Sequence, residues 1–170
     1  WVFVLQAIID SMYPTIVRLF NENKSWYEKK NRQLYAIVFY VSFFVSILVL
    51  IFGDLGIHIL YGEAYAPAGG PLKIVTWYTA FSYLGVARDV WIVCEGQQKY
   101  LKYMYCGAAI LNILLNFVFI PIMGASGVAL ASLITQIFTS IVLPFFFKGL
   151  RKNSILMLEA ITLKGIFYGK

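Results

Sequence analysis

The apolar positions of this chain fill whole runs rather than one stripe. Stretches 1–20, 34–52, 71–94, 103–120 and 127–147 are almost continuously apolar. Each is close to the roughly 20 residues with which an α-helix crosses the hydrocarbon of a bilayer. The pattern predicts an all-α, multi-pass transmembrane bundle of about five spanning helices. The run 34–52 carries no charge, whereas 71–94 carries Lys73, Arg88 and Asp89. Residues 53–70 read as an outer loop whose ILYGEAY piece forms a short interfacial helix. Tyr61, Tyr65, Trp77 and Tyr78 suit an aromatic belt beside it.

Composition agrees. The chain is 61% hydrophobic and only 13% charged, against about a quarter charged in a soluble domain. Net charge is +6, but the position of the basic residues explains it better than nucleic acid does. Segment 21–33 holds Lys24, Lys29, Lys30 and Arg32. The turn EGQQKYLK holds Lys99 and Lys102, and the tail 148–170 holds Lys148, Arg151, Lys152, Lys164 and Lys170. The alternate connections, 53–70 and PIMGAS, hold none. Basic residues collect on the cytoplasmic side, so the C-terminus is expected inside a cytoplasmic membrane. The tail, with Ile155, Leu158, Ile161 and Leu163 at near-helical spacing, either lies on the inner surface or begins a further span. Opening at Trp1 inside an apolar run suggests a fragment with helices before it.

Polar groups within the spans are the candidate chemistry, because ionised side chains in a membrane are costly and usually functional. Asp10 falls near the midplane of the first span, with Gln6 one turn before it, and is expected to face the protein interior. Pro14 kinks the same span; Arg18 reads as an interfacial anchor. Asp89 shares a face with Thr79 and Ser82, as in a cavity wall. Arg88 is turned about 100° away; it either binds an anion, or snorkels or pairs. Asn112 and Asn116 share one face of the fourth span and read either as packing glue or as cavity lining. Pro121 suits the end of that span, and Gly124, Gly127, Ala131 and Ser132 allow a tight hairpin to the fifth. Cys94 and Cys106 read as buried reduced thiols and His58 as interfacial. No metal cluster, cofactor motif, nucleophile with a base or phosphate loop emerges, so no enzyme is expected.

The stretch CEGQQKYLKYMYCGAAILNILLNFVFIPIMGASGVALASLITQ resembles the C-terminal half of the polysaccharide (O-antigen) flippase family. Gly96, Lys99, Asn112, Asn116, Ile120, Pro121, Gly124, Gly127, Ala129 and Ala131 carry the likeness, with LYGEAYAPAGGPLKI and SMYP upstream. The resemblance covers about 10–147. It implies a bacterial inner-membrane transporter of two related bundles, this chain supplying the last five helices and its N-terminal half the rest. The implied substrate is an undecaprenyl-diphosphate-linked oligosaccharide, moved to the outer leaflet by ion-coupled alternating access. Arg88, Asn112 and Asn116 would then face substrate. Asp10 and Asp89 would couple to protons or sodium. A drug or small-metabolite exporter of similar plan is the alternative, followed by a non-transporting scaffold of polysaccharide assembly and, last, a membrane-embedded glycosyltransferase.

Overall fold

A computed structural model describes residues 1–162 of the 170. Among them every regular element is helical. In chain order these are α1 (Val2–Glu22), α2 (Lys24–Tyr61), a 3₁₀ turn (Glu63–Ala68), α3 (Gly69–Cys94), α4 (Lys99–Met123) and α5 (Ala125–Ile137). A π-helical turn (Phe138–Val142) and a 3₁₀ turn (Leu143–Phe146) extend α5, and α6 (Arg151–Ile161) follows.

Four stretches are long and apolar enough to cross a membrane: Val2–Glu22, Lys24–Tyr61, Lys99–Met123 and Ala125–Phe146. The expected third span, α3, is 26 residues long but is not among them. Its position accounts for its polarity. α3 packs against both α2 and α5, which in turn carry α1 and α4. Shielded on two sides, it buries Thr76, Ala80, Leu84, Gly85, Arg88, Trp91 and Ile92. In a membrane bundle polar side chains are tolerated where they face other helices rather than lipid. α4 is its opposite: no residue of its apolar window is buried, and Ile110, Leu114, Phe117 and Ile122 stand exposed. So broad an apolar face is stable only against lipid or another apolar surface.

Two expected loops are helix instead. Asn23 joins α1 to α2 almost directly, its Oδ1 accepting from the backbone N–H groups of Ser25 and Trp26 at 3.1 Å each. A side-chain cap of this kind satisfies the orphan donors of a helix start, so most of 21–33 is helical. α2 then continues through the expected outer loop to Tyr61 and stops at Gly62, whose φ of +81° ends it. At 38 residues it is about 57 Å long, well beyond the ~30 Å of a hydrocarbon core. The ILYGEAY helix is therefore not separate: its first half ends α2 and its second half enters the 3₁₀ turn. Pro14 lies within a continuous α1, and α4 runs past Pro121 to Met123.

Small residues set the close approaches, as expected where helices gain little from the hydrophobic effect between themselves. Ser42 and Ser46 of α2 are fully buried, and Ser46 donates to the Thr76 carbonyl at 3.4 Å. Gly124, with φ +55°, turns the α4–α5 hairpin. A Cβ on Gly127 would fall inside the backbone of Phe119.

The tail folds as far as it is described. α6 packs on the N-terminal half of α2 through Asn153, which donates to the Tyr35 hydroxyl at 2.5 Å. Arg32–Glu159 and Lys152–Glu28 ion pairs flank it, and Tyr40 donates to the Ile161 carbonyl at 2.6 Å. Leu163, Lys164 and Lys170 of the tail reading lie outside the described residues.

Candidate functional site

α3, α4 and α5 meet along a polar seam. It begins with two neighbours on α3. Adjacent helical residues normally point apart, and the sequence placed Arg88 and Asp89 on different faces. The long Arg88 side chain nevertheless folds back. Its Nη2 and Nε donate to Asp89 Oδ1 at 2.8 and 3.1 Å. The other carboxylate oxygen, Oδ2, accepts from the Tyr105 hydroxyl of α4 at 2.6 Å. Arg88 is 4% exposed, so it pairs inside the bundle and does not snorkel to headgroups.

The third donor of Arg88 explains why it is there. Nη1 donates to the Thr139 carbonyl at 2.9 Å. Thr139 lies in the π turn, where the Leu143 N–H bonds back five residues to the Phe138 carbonyl. In that register the next N–H, at position 144, would serve Thr139. Position 144 is proline and has no N–H. The Arg88 guanidinium supplies the missing donor, so a buried carbonyl that proline would orphan is satisfied from a neighbouring helix. Gly85, one turn before Arg88, makes room for this: a Cβ there would sit 3.1 Å from Ser140 Oγ and 3.3 Å from Gln136 Nε2. Ser140 donates to the Phe81 carbonyl at 3.0 Å, tying α5 to α3 again.

From Thr139 the seam runs along α5 to α4. Thr139 Oγ1 donates to the Thr135 carbonyl at 2.9 Å. The Asn112 amide donates to Thr135 Oγ1 at 3.4 Å, and the Asn116 amide to Asn112 Oδ1 and backbone carbonyl at 2.8 and 2.9 Å. Asn116 Oδ1 is buried without a partner among the described residues. Beside this stretch opens a cleft of about 280 Å³ lined by Tyr78, Ala108, Ala109, Asn112, Ser132, Thr135 and Gln136. Its polar groups are neutral amides and hydroxyls, donors and acceptors both.

Four of the five sequence candidates thus fall on one seam: Arg88, Asp89, Asn112 and Asn116. Asp10 does not join them. It is exposed on α1, contrary to the expected interior position, and its one side-chain hydrogen bond comes from Gln6 Nε2 at 2.9 Å. None of the described residues covers that face of α1. A smaller correction concerns the cysteines, expected buried: Cys106 is exposed and Cys94 half-buried. His58 bonds Glu63 Oε1 at 2.9 Å.

Tyr105, Thr135, Thr139 and Gln136 were not singled out in the sequence. Hydroxyl residues are common in membrane helices and do not announce themselves. Pro144 is the signal that could have found the seam, because a proline inside a predicted span requires a donor from elsewhere for a carbonyl four or five residues before it.

No protein-family model, curated protein or solved structure matches the chain.

Proposed function

We propose that this chain is part of a membrane transporter that flips a polyprenyl-diphosphate-linked oligosaccharide between leaflets, α3 crossing as a fifth span shielded by α2 and α5. The observation that carries the proposal is the hydrogen-bonded seam with its cleft, set within helices whose outer surfaces are apolar. A sugar headgroup cannot cross hydrocarbon unaided, and neutral amides and hydroxyls suit its hydroxyls. The resemblance of 10–147 to the flippase family supports the same reading. Asn112 would touch substrate from the cleft and Asn116 would hold Asn112. Arg88, bound to Asp89 and Thr139, would meet a diphosphate only by exchanging one carboxylate for another anion. Asp89 is then the group through which a coupling ion could release Arg88.

A drug or metabolite exporter is the second reading. It is favoured by the exposed carboxylate of Asp10 and by the pairing of Arg88, which leaves that end of the seam without a free cation.

The test is a flipping assay with the protein in liposomes, reading outer-leaflet exposure of a polyprenyl-diphosphate-linked sugar with and without a proton or sodium gradient. Gradient-dependent exposure that Asn112→Ala reduces supports the proposal. Absence of exposure under a verified gradient, together with efflux of a small drug, replaces it with the exporter.

A further inference from the structure

Of the basic residues at one end of the bundle, those around α6 and those where α4 begins differ in what they meet. Near α6 they are paired: Lys152 with Glu28 and Arg32 with Glu159. Where α4 begins they are not. Lys99, Lys102 and Lys148 are exposed and make no salt bridge among the described residues. They are nonetheless held. Lys99 Nζ lies 5.1 Å over the Tyr100 ring and Lys102 Nζ 5.0 Å over the Tyr103 ring. The Tyr100 ring packs on Phe147 with centroids 5.0 Å apart, which brings Lys148 to the same place. Gly149 lets the two segments touch: a Cβ there would lie 3.0 Å from both the Tyr100 ring and Gln97 Oε1. Arg151 donates from Nε to the Phe145 carbonyl at 2.9 Å, and its terminal nitrogens make no hydrogen bond among the described residues. Glu95, the acid nearest in sequence, bridges none of the four.

We infer that the Tyr100–Phe147 seam, with Lys99, Lys102, Lys148 and Arg151 around it, binds the phosphate of an anionic membrane phospholipid. The cluster has the chemistry of a headgroup site: exposed lysines over the half-buried Tyr100 and the exposed Tyr103 rings at the end of apolar helices. The adjoining face of α4 is apolar and uncovered, so an acyl chain can lie along it while the phosphate meets the lysines. A soluble phosphate would use only half of this surface. The inference rests on the helices being in a membrane and not on what the protein transports.

The experiment places the protein in phosphatidylcholine nanodiscs with rising phosphatidylglycerol and follows the thermal unfolding midpoint and the lipid retained in native mass spectra. Wild-type protein is expected to gain a saturating increase at low phosphatidylglycerol. Lys99→Gln/Lys102→Gln/Lys148→Gln should raise the half-saturating fraction by about fivefold for each charge removed. The control Lys152→Gln, whose ammonium already pairs with Glu28, should leave it near wild type. Lys102→Gln alone gives the smaller shift should the triple variant not fold. Three results overturn the inference: no response to phosphatidylglycerol, equal loss in Lys102→Gln and Lys152→Gln, or the same protection from inorganic phosphate in pure phosphatidylcholine discs.

Discussion

Asp10 and Asp89 make an instructive pair. Both are carboxylates within long apolar helices. Asp89 accepts from Arg88 of its own helix and from Tyr105 of α4, whereas Asp10 accepts only from Gln6 of its own helix among the described residues and stands exposed. The difference lies in the neighbours and not in the local sequence. α3 has helices on both sides, so its polar groups find partners across a seam. The exposed face of α1 has none among the described residues. Ionised side chains in membrane helices are costly unless they pair or meet water; Asp89 is paired within the bundle, and Asp10 meets only Gln6 of its own helix among the described residues.

The largest expected effect comes from breaking that contrast at Arg88. Arg88→Met leaves the Thr139 carbonyl without its donor and the Asp89 carboxylate with only the Tyr105 hydroxyl. Removing one partner of a fully buried pair costs about 3–5 kcal/mol, and the lower end applies to this partly buried one. Denaturation in detergent should show most of that loss, and Arg88→Met/Asp89→Leu should recover part of it. A double variant as unstable as the single one would mean that the pair does not act as a unit.

Next is the link between Arg88 and the proline. Pro144→Ala restores an N–H that can serve the Thr139 carbonyl. The loss caused by Arg88→Gln should then be smaller in the Pro144→Ala background by about 1 kcal/mol, the scale of a net hydrogen bond. A double-mutant cycle reads this term directly, because the loss at Asp89 enters both arms equally. Additive effects would show that the proline and the arginine are neighbours without coupling.

Tyr105→Phe should cost less again, about 1 kcal/mol, since Asp89 retains both bonds from Arg88. Its value lies in the contrast: the same change at Tyr103, whose ring sits under Lys102, should leave stability unchanged. Equal losses at the two positions would assign the effect to ring packing rather than to the hydroxyl.

These expectations also show which parts of the fold could be read from sequence. Apolar runs placed three of the four spanning stretches within a few residues and found the middle of the fourth, because length and hydropathy are local properties. The Gly124–Gly127 hairpin was legible for a similar reason: small residues next to a turn have one obvious use. The ends of α2 were missed. Lys24–Gln33 and Gly53–Tyr61 look like loops by charge and glycine content, yet the Asn23 cap and packing against α6 keep the first of them helical. The seam was half legible. Arg88, Asp89, Asn112 and Asn116 stand out as polar residues in apolar runs. That Arg88 turns back on Asp89 depends on Thr139, 51 positions away, and no spacing rule within one helix contains that information.

The smallest structural effect and the sharpest functional one meet at Asp10. Its carboxylate joins no second helix among the described residues, so Asp10→Asn should leave stability unchanged while Asp89→Asn lowers it. Under the proposed transport function, with the exposed face of α1 lining the path of a coupling ion, Asp10→Asn should remove the pH or sodium dependence of transport. The two variants then separate the roles that sequence alone assigned to both: Asp89 as a carboxylate that holds helices together, Asp10 as one free to exchange an ion. Unchanged ion dependence in Asp10→Asn, with a loss in Asp89→Asn beyond its loss of stability, would reverse that assignment. It would place the coupling group inside the seam, where releasing Arg88 would also release the carbonyl that Pro144 leaves open.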